Sequence, residues 1–177
     1  QYVKFDDTDY RVDDDNTSAG FLNGSPSLNT LAGFIRTDID VTEKWRVLAA
    51  LRADKFSAPD ETYLAYEFAS TYKLNEKNLV RVAVTRSNSG SFIGYNYLNV
   101  IVPTPVPGLN VTQTGNTNLN LFTVNMIEIG YRAQLTKSLQ LDIDVFNQRA
   151  ENFTEITAKE FNQMIGAVTA YQFSNLP

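Results

Sequence analysis

The sequence contains neither cysteine nor histidine. Without cysteine, the chain has no disulfide framework and no thiolate for nucleophilic or metal chemistry. Without histidine, it lacks the commonest general base, and Ser-His-Asp and Cys-His catalytic arrangements are excluded. Its carboxylates could pair as in a glycosidase, but they recur at regular positions where the polar face of a sheet needs them. We therefore expect no catalytic residue, no cofactor and no enzyme activity.

Basic charge and long apolar runs are also scarce. The chain carries 15 Lys and Arg against 20 Asp and Glu, which argues against a nucleic-acid partner because phosphate binding requires a basic surface. No apolar run approaches the roughly 18 residues of a transmembrane helix, and the mean hydropathy is -0.24. A membrane protein is not excluded by this, because the strands of a transmembrane barrel are half polar and escape hydropathy scans.

What the sequence does contain is alternation of apolar and polar residues, and it is clearest from Met126 to Phe153. One side of its second half carries Leu139, Leu141, Ile143 and Val145, and the other side carries Gln140, Asp142, Asp144 and Gln148. Such alternation is typical of a strand whose two faces meet different surroundings. A short polar T-K-S segment separates the two halves, so the stretch predicts a long β-hairpin.

The length of these runs favours a membrane barrel over a soluble sheet. Each run has about ten residues, or about 33 Å of strand at roughly 3.3 Å per residue, whereas soluble strands usually have about five or six. Ten residues tilted by about 45° cross the hydrocarbon core of a bilayer. A soluble all-β binding module remains open as an alternative, but its apolar faces would have to meet a second sheet.

The chain divides by its pattern into four parts. Residues 29–86 predict strands joined by short turns, 87–123 a long extracellular loop, 124–153 the long hairpin, and 154–177 a loop or short helix followed by the start of another strand. Short turns that alternate with longer loops are typical of bacterial outer-membrane barrels. We therefore predict an all-β fold, an antiparallel transmembrane β-barrel segment. A small self-contained barrel of about eight strands, serving as an anchor or adhesin, is the second alternative.

The alternation also assigns the two faces of this predicted barrel. Outward residues such as Val82 and Ile143 would meet lipid, where a lysine or arginine near the midplane should cost about 2–4 kcal/mol. The inward charged residues, which we expect to line the lumen, are Arg36, Asp38, Arg46, Arg52, Asp54, Glu67, Arg81, Glu128, Arg132, Asp142 and Asp144. We favour mutual pairing of these side chains over direct contact with a ligand.

Two further groups of residues are candidate binding sites. Phe92, Tyr95, Asn96 and Tyr97 lie in the long loop, where an aromatic platform with an amide would suit a sugar or a catecholate-type ligand; a self-packed loop is the alternative. Asp13, Asp14 and Asp15 end an acidic N-terminal segment, and clustered carboxylates suit Ca²⁺. Their spacing is not that of an EF-hand, so we favour a solvated acidic loop and expect no metal site.

Several stretches, taken in order, resemble motifs of one family. They are D-Y-R at 9–11, L-A-G-F-I-R-T-D at 31–38 with L-R-A-D-K-F at 51–56, the run 63–82, T-R-S-N-S-G-S-F at 85–92, and I-E-I-G-Y-R-A-Q-L at 127–135 with L-D-I-D-V-F-N-Q-R-A-E-N-F at 141–153. Together they resemble the C-terminal barrel half of a Bacteroidetes-type TonB-dependent outer-membrane receptor. Arg36 and Ala53 depart from the usual glutamine and tyrosine, and Ala65-Tyr66 replaces a serine-proline.

The resemblance implies a bacterial outer-membrane location and a barrel of about 22 strands with a plugged lumen. It implies import of a scarce nutrient (a siderophore, glycan, peptide or cobalamin) with energy delivered by TonB. The implied partners are outer-membrane lipid, the plug domain of the same receptor, TonB through a region before residue 1, and a surface lipoprotein. The plug domain is not expected within this chain.

Overall fold

The computed structural model describes residues 1–4, 22 and 26–176. In order, the elements are β1 (Tyr2–Lys4), β2 (Ser27–Thr42), β3 (Trp45–Phe56), β4 (Thr62–Asn75), β5 (Asn78–Asn88), α1 (Ile93–Tyr97), β6 (Asn99–Pro103), β7 (Asn110–Thr114), β8 (Thr123–Gln134), β9 (Gln140–Glu151), β10 (Thr154–Asn162) and β11 (Ala167–Asn175). In this part of the chain, no helix is both long enough and apolar enough to cross a bilayer.

Seven strands form one antiparallel sheet in the order β1-β2-β3-β4-β5-β8-β9. The predicted hairpins are confirmed, and polar side chains close their short turns. The Thr42 hydroxyl accepts the backbone N–H of Trp45 at 3.0 Å, and the Asn75 carboxamide oxygen accepts that of Lys77 at 2.9 Å. The sheet is open within the described residues, because β1 and β9 are its two edges. An open antiparallel sheet is the form expected of one part of a larger closed barrel.

The register places the apolar residues of neighbouring strands side by side on one face. One row crosses six strands and consists of Ile39, Val47, Val82, Ile129 and Val145, with Ser70 as its one polar member. These side chains are not covered by a second layer, and Val145 is 68% exposed. A continuous apolar surface of this kind is a membrane or interaction surface rather than the interior of a soluble sandwich. The predicted alternation of faces is therefore present in the structure.

A second sheet of four strands, in the order β10-β11-β7-β6, contains the remaining strands. The prediction of a loop or short helix from residue 154 was wrong, because Thr154–Asn162 is a strand paired with Ala167–Asn175. The weak helical spacing is overridden by cross-strand pairs such as Ile156 with Phe173. Gly166, with a φ of 64°, supplies the left-handed residue at the end of the connecting turn.

The predicted loop 87–123 is likewise more ordered than its composition indicates. It contains α1, β6 and β7, and β7 pairs in parallel with β11, which lies far along the chain. Most of the buried side chains lie where this segment packs on the main sheet, at the ends of the strands opposite the short turns. They include Leu28, Phe56, Ala58, Leu119, Leu121 and Thr123. The core is therefore a small cluster under the loops.

Candidate ligand-binding site

All eleven charged residues predicted to be inward lie on the same face of the main sheet. The cross-strand register sets this arrangement, because strand residues two apart share a face. Arg46, for example, lies opposite Asp40 and reaches diagonally to Asp38, while Arg81 lies opposite Gly130. The polar face is therefore continuous from β2 to β9.

Most of these charges pair with each other. Arg46 forms two hydrogen bonds with Asp38, at 2.8 and 2.5 Å. The remaining ion pairs on this face are Arg52–Asp54 at 2.7 Å, Arg132–Asp142 at 2.6 Å, Arg81–Glu128, and Arg81–Asp144 at 3.9 Å. Exposed pairs of this kind usually stabilise by about 0–1 kcal/mol.

Among the eleven predicted residues, Arg36 and Glu67 are the exceptions. They lie in one cross-strand row with Ala50 between them, and neither forms a hydrogen bond or ion pair within the described residues. The row belongs to a groove of about 430 Å³ that Ala65 and Thr85 also line. The small side chains at these positions leave both charged groups accessible from the polar side.

A pocket of about 330 Å³ lies between the long loop and the start of β10. Its lining consists of Ser89, Gly90, Ser91, Phe92, Tyr95, Asn96, Leu119, Asn120, Leu121, Phe122, Phe153 and Thr154. Two edge-to-face aromatic pairs form part of its wall, Phe92 with Tyr95 and Phe122 with Phe153, each with ring centroids 4.9 Å apart. Concave sites with apolar rings and a few polar groups are the usual form of a ligand pocket.

Helix α1 is too short to be stable alone, and the surrounding chain holds it in place. Gly115 donates its N–H to the Leu98 carbonyl at 2.6 Å, and Asn116 donates to the Tyr95 carbonyl at 2.8 Å. A Cβ on Gly115 would lie 2.5 Å from the backbone of Asn96, so only glycine fits at this position. Backbone hydrogen bonds from Gly115 and Asn116 therefore hold the aromatic residues of α1 in place.

Strand β11 fixes the other side of the pocket. Asn175 accepts the backbone N–H of Asn120 at 2.7 Å and donates to the Asn120 carbonyl at 3.0 Å. Gln172 donates to the Gly115 carbonyl at 3.1 Å, and Asn116 donates to the Phe173 carbonyl at 3.1 Å. Side-chain amides of β11, together with Asn116 of the loop, therefore hold the two segments together.

The structure brings together only part of the predicted loop site. Phe92 and Tyr95 line the pocket with exposed rings, 57% and 42% accessible. Asn96 is buried, and its amide donates to the Ser91 hydroxyl and to the Phe92 carbonyl, both at 2.8 Å. Tyr97 lines a different cavity, beside Leu98 and Gly115.

Sequence reasoning missed three aromatic residues at this site. Phe122 and Phe153 line the pocket, and Phe173 contacts Tyr95 with ring centroids 4.9 Å apart. Phe122 lies just before the predicted hairpin 124–153 and Phe153 ends it, so their proximity followed from that hairpin. The position of Phe173 carried no sequence signal.

Tyr63 closes the base of this region from β4. Its hydroxyl accepts the backbone N–H of Leu121 at 3.2 Å, and its ring packs edge-to-face on Phe56. Tyr63 lies beyond the roughly ten residues that a strand needs to cross the hydrocarbon core, counted from the turn after Asn75. Burial raises the pKa of the Tyr63 hydroxyl. The weak Ca²⁺ candidates Asp13, Asp14 and Asp15 lie outside the described residues.

Comparison with solved structures shows the same fold in siderophore receptors. The ferric enterobactin receptor of Pseudomonas aeruginosa matches with a TM-score of 0.69 and 16% identity, over 87% of this chain and 23% of that one. The siderophore receptor PirA of Acinetobacter baumannii matches with a TM-score of 0.71 and 17% identity, over 98% of this chain and 27% of that one. The siderophore receptor PirA of Pseudomonas aeruginosa matches with a TM-score of 0.68 and 16% identity, over 86% of this chain and 29% of that one. The chain thus spans less than a third of each receptor.

Comparison of sequences gives the family. No curated protein matches the chain. The family described as TonB dependent receptor-like, beta-barrel matches residues 1–176. Its barrels lie in the bacterial outer membrane, which agrees with the exposed apolar face of the main sheet. The chain therefore belongs to the TonB-dependent receptor-like β-barrel family of outer-membrane proteins.

Proposed function

We propose that this chain is a barrel segment of a receptor that imports a scarce nutrient across the outer membrane, with energy delivered through TonB. The observation that carries the proposal is the two-faced sheet, with paired charges on one side and exposed aliphatic residues on the other. An importer needs both faces, because lipid surrounds the barrel and a polar path lies inside it. The imported nutrient belongs to one of four classes: siderophore, glycan, peptide or cobalamin.

The polar face lines the lumen in this proposal. Mutual ion pairs satisfy most of its charges, while Arg36 and Glu67 are left for a partner. We assign that partner as the plug domain of the same receptor, since the groove beside them has alanines that permit close approach. A protein segment carrying both signs of charge would complete the Arg36–Glu67 row.

The loop pocket captures the ligand before import. Phe92 and Tyr95 supply exposed rings beside hydroxyl and amide groups, which is the composition of a site for a partly apolar ligand. Asn96 acts as a positioning residue in this scheme, because its amide fixes the turn that presents Phe92. Tyr97 supports the loop from the neighbouring cavity.

We further propose a receptor of the Bacteroidetes type, acting with a surface lipoprotein and without catalytic activity of its own. The support is the ordered set of motif resemblances from residue 9 to residue 153. Copurification of a lipoprotein with the tagged full-length receptor tests the partner. Recovery of the receptor alone from gently solubilised membranes contradicts it.

Uptake tests the function directly. Cells with and without the full-length receptor, each with and without TonB, receive a ferric siderophore, cobalamin, an oligosaccharide or a peptide as the limiting nutrient. We expect one nutrient class to require both proteins. Equal uptake of all four by every strain contradicts the proposal.

A further inference from the structure

The described residues that line the loop pocket include no charged side chain. None of the 15 Lys and Arg and 20 Asp and Glu residues falls between Arg86 and Glu128. Strand β11, which holds this segment through its amides, contains no charged residue either. Every strand of the main sheet, by contrast, carries at least one charge. Within the described part of the chain, the absence of charge therefore distinguishes the long loop and β11 from the main sheet.

Unused hydrogen-bonding groups surround the aromatic rings of this pocket. The side chains of Ser89, Tyr95, Asn120 and Thr154 line it, and none of them forms a hydrogen bond to another described residue. The nearest charge along β10 is Glu155, which follows Thr154 and so lies on the opposite face of the strand. The pocket thus offers neutral donors and acceptors beside apolar rings.

This chemistry selects among the possible ligands. An anionic chelate entering the pocket would lose water without meeting a cation, and an uncompensated charge is costly to desolvate. Sites for anions use arginine or lysine for this reason. A sugar ring presents apolar C–H groups on its faces and neutral hydroxyls at its edge, which match aromatic rings flanked by amides and hydroxyls.

We propose that the loop pocket binds an uncharged saccharide. The inference rests on the proposed function, since it takes the pocket as the place where the imported ligand is first held. It narrows the ligand class within that function, and it differs from the ferric enterobactin of the solved receptor with the same fold. A pocket of about 330 Å³ lies within the usual size range of small-ligand sites.

The first experiment measures binding to the purified full-length receptor in detergent by calorimetry. The probes are neutral oligosaccharides of glucose, xylose, mannose and galactose, with ferric enterobactin as the anionic comparison. We expect one neutral oligosaccharide to bind, and Phe92→Ala to raise its Kd about tenfold or more. Phe161→Ala is the matched control. Phe161 lies on the β10–β11 hairpin, is about as exposed as Phe92 (61%), and lies outside the pocket. Its Kd should stay within about twofold of the wild-type value.

The second experiment changes the sign of charge at one position. Only the backbone of Asn120 is used in holding the loop, so Asn120→Asp and Asn120→Lys can place opposite charges at the pocket without removing those contacts. An uncharged saccharide should lose affinity in both variants, because each removes the same neutral amide. An anionic ligand would bind more tightly to the lysine variant and more weakly to the aspartate variant.

The outcomes separate this inference from the proposed function. Binding of ferric enterobactin that Phe92→Ala weakens, or an opposite response of the two Asn120 variants, overturns the saccharide inference and leaves the import function standing. Failure of every neutral oligosaccharide to bind also overturns the inference. Absence of TonB-dependent uptake of any nutrient overturns the proposed function itself.

Discussion

Arg81 and Asp144 lie 3.9 Å apart, measured from Nη2 to Oδ1, although a whole strand separates their own strands. The intervening position is Gly130, which is paired with Arg81 on one side and with Asp144 on the other. A Cβ at Gly130 would collide with the Asp144 carboxylate. The absence of a side chain therefore allows a charge contact across three strands of the polar face.

Replacing this glycine should move the Asp144 carboxylate without unfolding the barrel. The colliding atom is the end of a flexible side chain, and an exposed ion pair contributes about 0–1 kcal/mol. We expect Gly130→Ala to change the free energy of unfolding of the full-length receptor in lipid vesicles by less than about 1 kcal/mol. Urea titration followed by fluorescence measures this change.

The matched control is Gly33→Ala, because a Cβ at Gly33 has open space around it. If Gly130→Ala acts by displacing Asp144, its effect should not add to that of Asp144→Asn. Additive effects in this double-mutant cycle would show that Gly130 serves some other purpose.

A charge on the apolar face should be far more damaging than one on the polar face. Val82 lies in the middle of the six-strand apolar row, and we expect Val82→Arg to destabilise the receptor by about 2–4 kcal/mol in lipid vesicles. Thr85→Arg is the control, since Thr85 lies opposite Glu67 on the polar face, and it should cost less than about 1 kcal/mol. Equal losses for the two variants would contradict the assignment of faces.

The close contact at Gly115 predicts a local effect confined to the loops. The backbone of Asn96 cannot yield as a flexible side chain does, so Gly115→Ala should displace α1. We expect faster protease cleavage within residues 87–123 while the heat-modifiable gel mobility of the barrel is unchanged. Gly90→Ala is the control, because a Cβ at Gly90 meets no atom within 4 Å. Cleavage at the wild-type rate in Gly115→Ala would refute the anchoring role.

The hydrogen bond from Leu121 to Tyr63 predicts a site-specific loss of protection. Tyr63→Phe removes the acceptor of a partly buried N–H, which costs about 1 kcal/mol, equivalent to roughly fivefold faster amide exchange. Hydrogen exchange measured by mass spectrometry on the peptide containing Leu121 tests this. Tyr72→Phe, at the opposite end of β4, should leave that peptide unchanged. The same increase in both variants would point to global rather than local opening.

The membrane-crossing strands were predictable because the alternation of apolar and polar residues that marks them lies within each strand. Alternation fixes the face of each residue within one strand, so Val82 and Ile143 could be assigned from their neighbours alone. Short turns then make sequential strands adjacent, which fixes the order of β2 to β5 and of β8 with β9. Paired charges such as Arg132 and Asp142 follow from that order, because they lie opposite each other across one hairpin.

The loop pocket was only partly predictable because long-range pairing creates it. The contact of Tyr95 with Phe173 depends on a parallel pairing of β7 with β11. No local sequence pattern near either strand predicts that pairing. The burial of Asn96 depends in the same way on the close approach of Gly115. The sequence showed that aromatic and amide residues were concentrated in one loop, but not which of them face a common space.

We propose that this chain crosses the outer membrane with its short turns on the periplasmic side and its long loop on the cell surface. Because the chain has no cysteine, single cysteines can report on it in a full-length receptor otherwise freed of cysteine. The reagent is a maleimide too large to pass through porins. Ile101→Cys should be labelled on intact cells, whereas Lys77→Cys, in a short turn, should be labelled only after the outer membrane is opened. Labelling of Lys77→Cys on intact cells, or protection of Ile101→Cys there, would contradict the account.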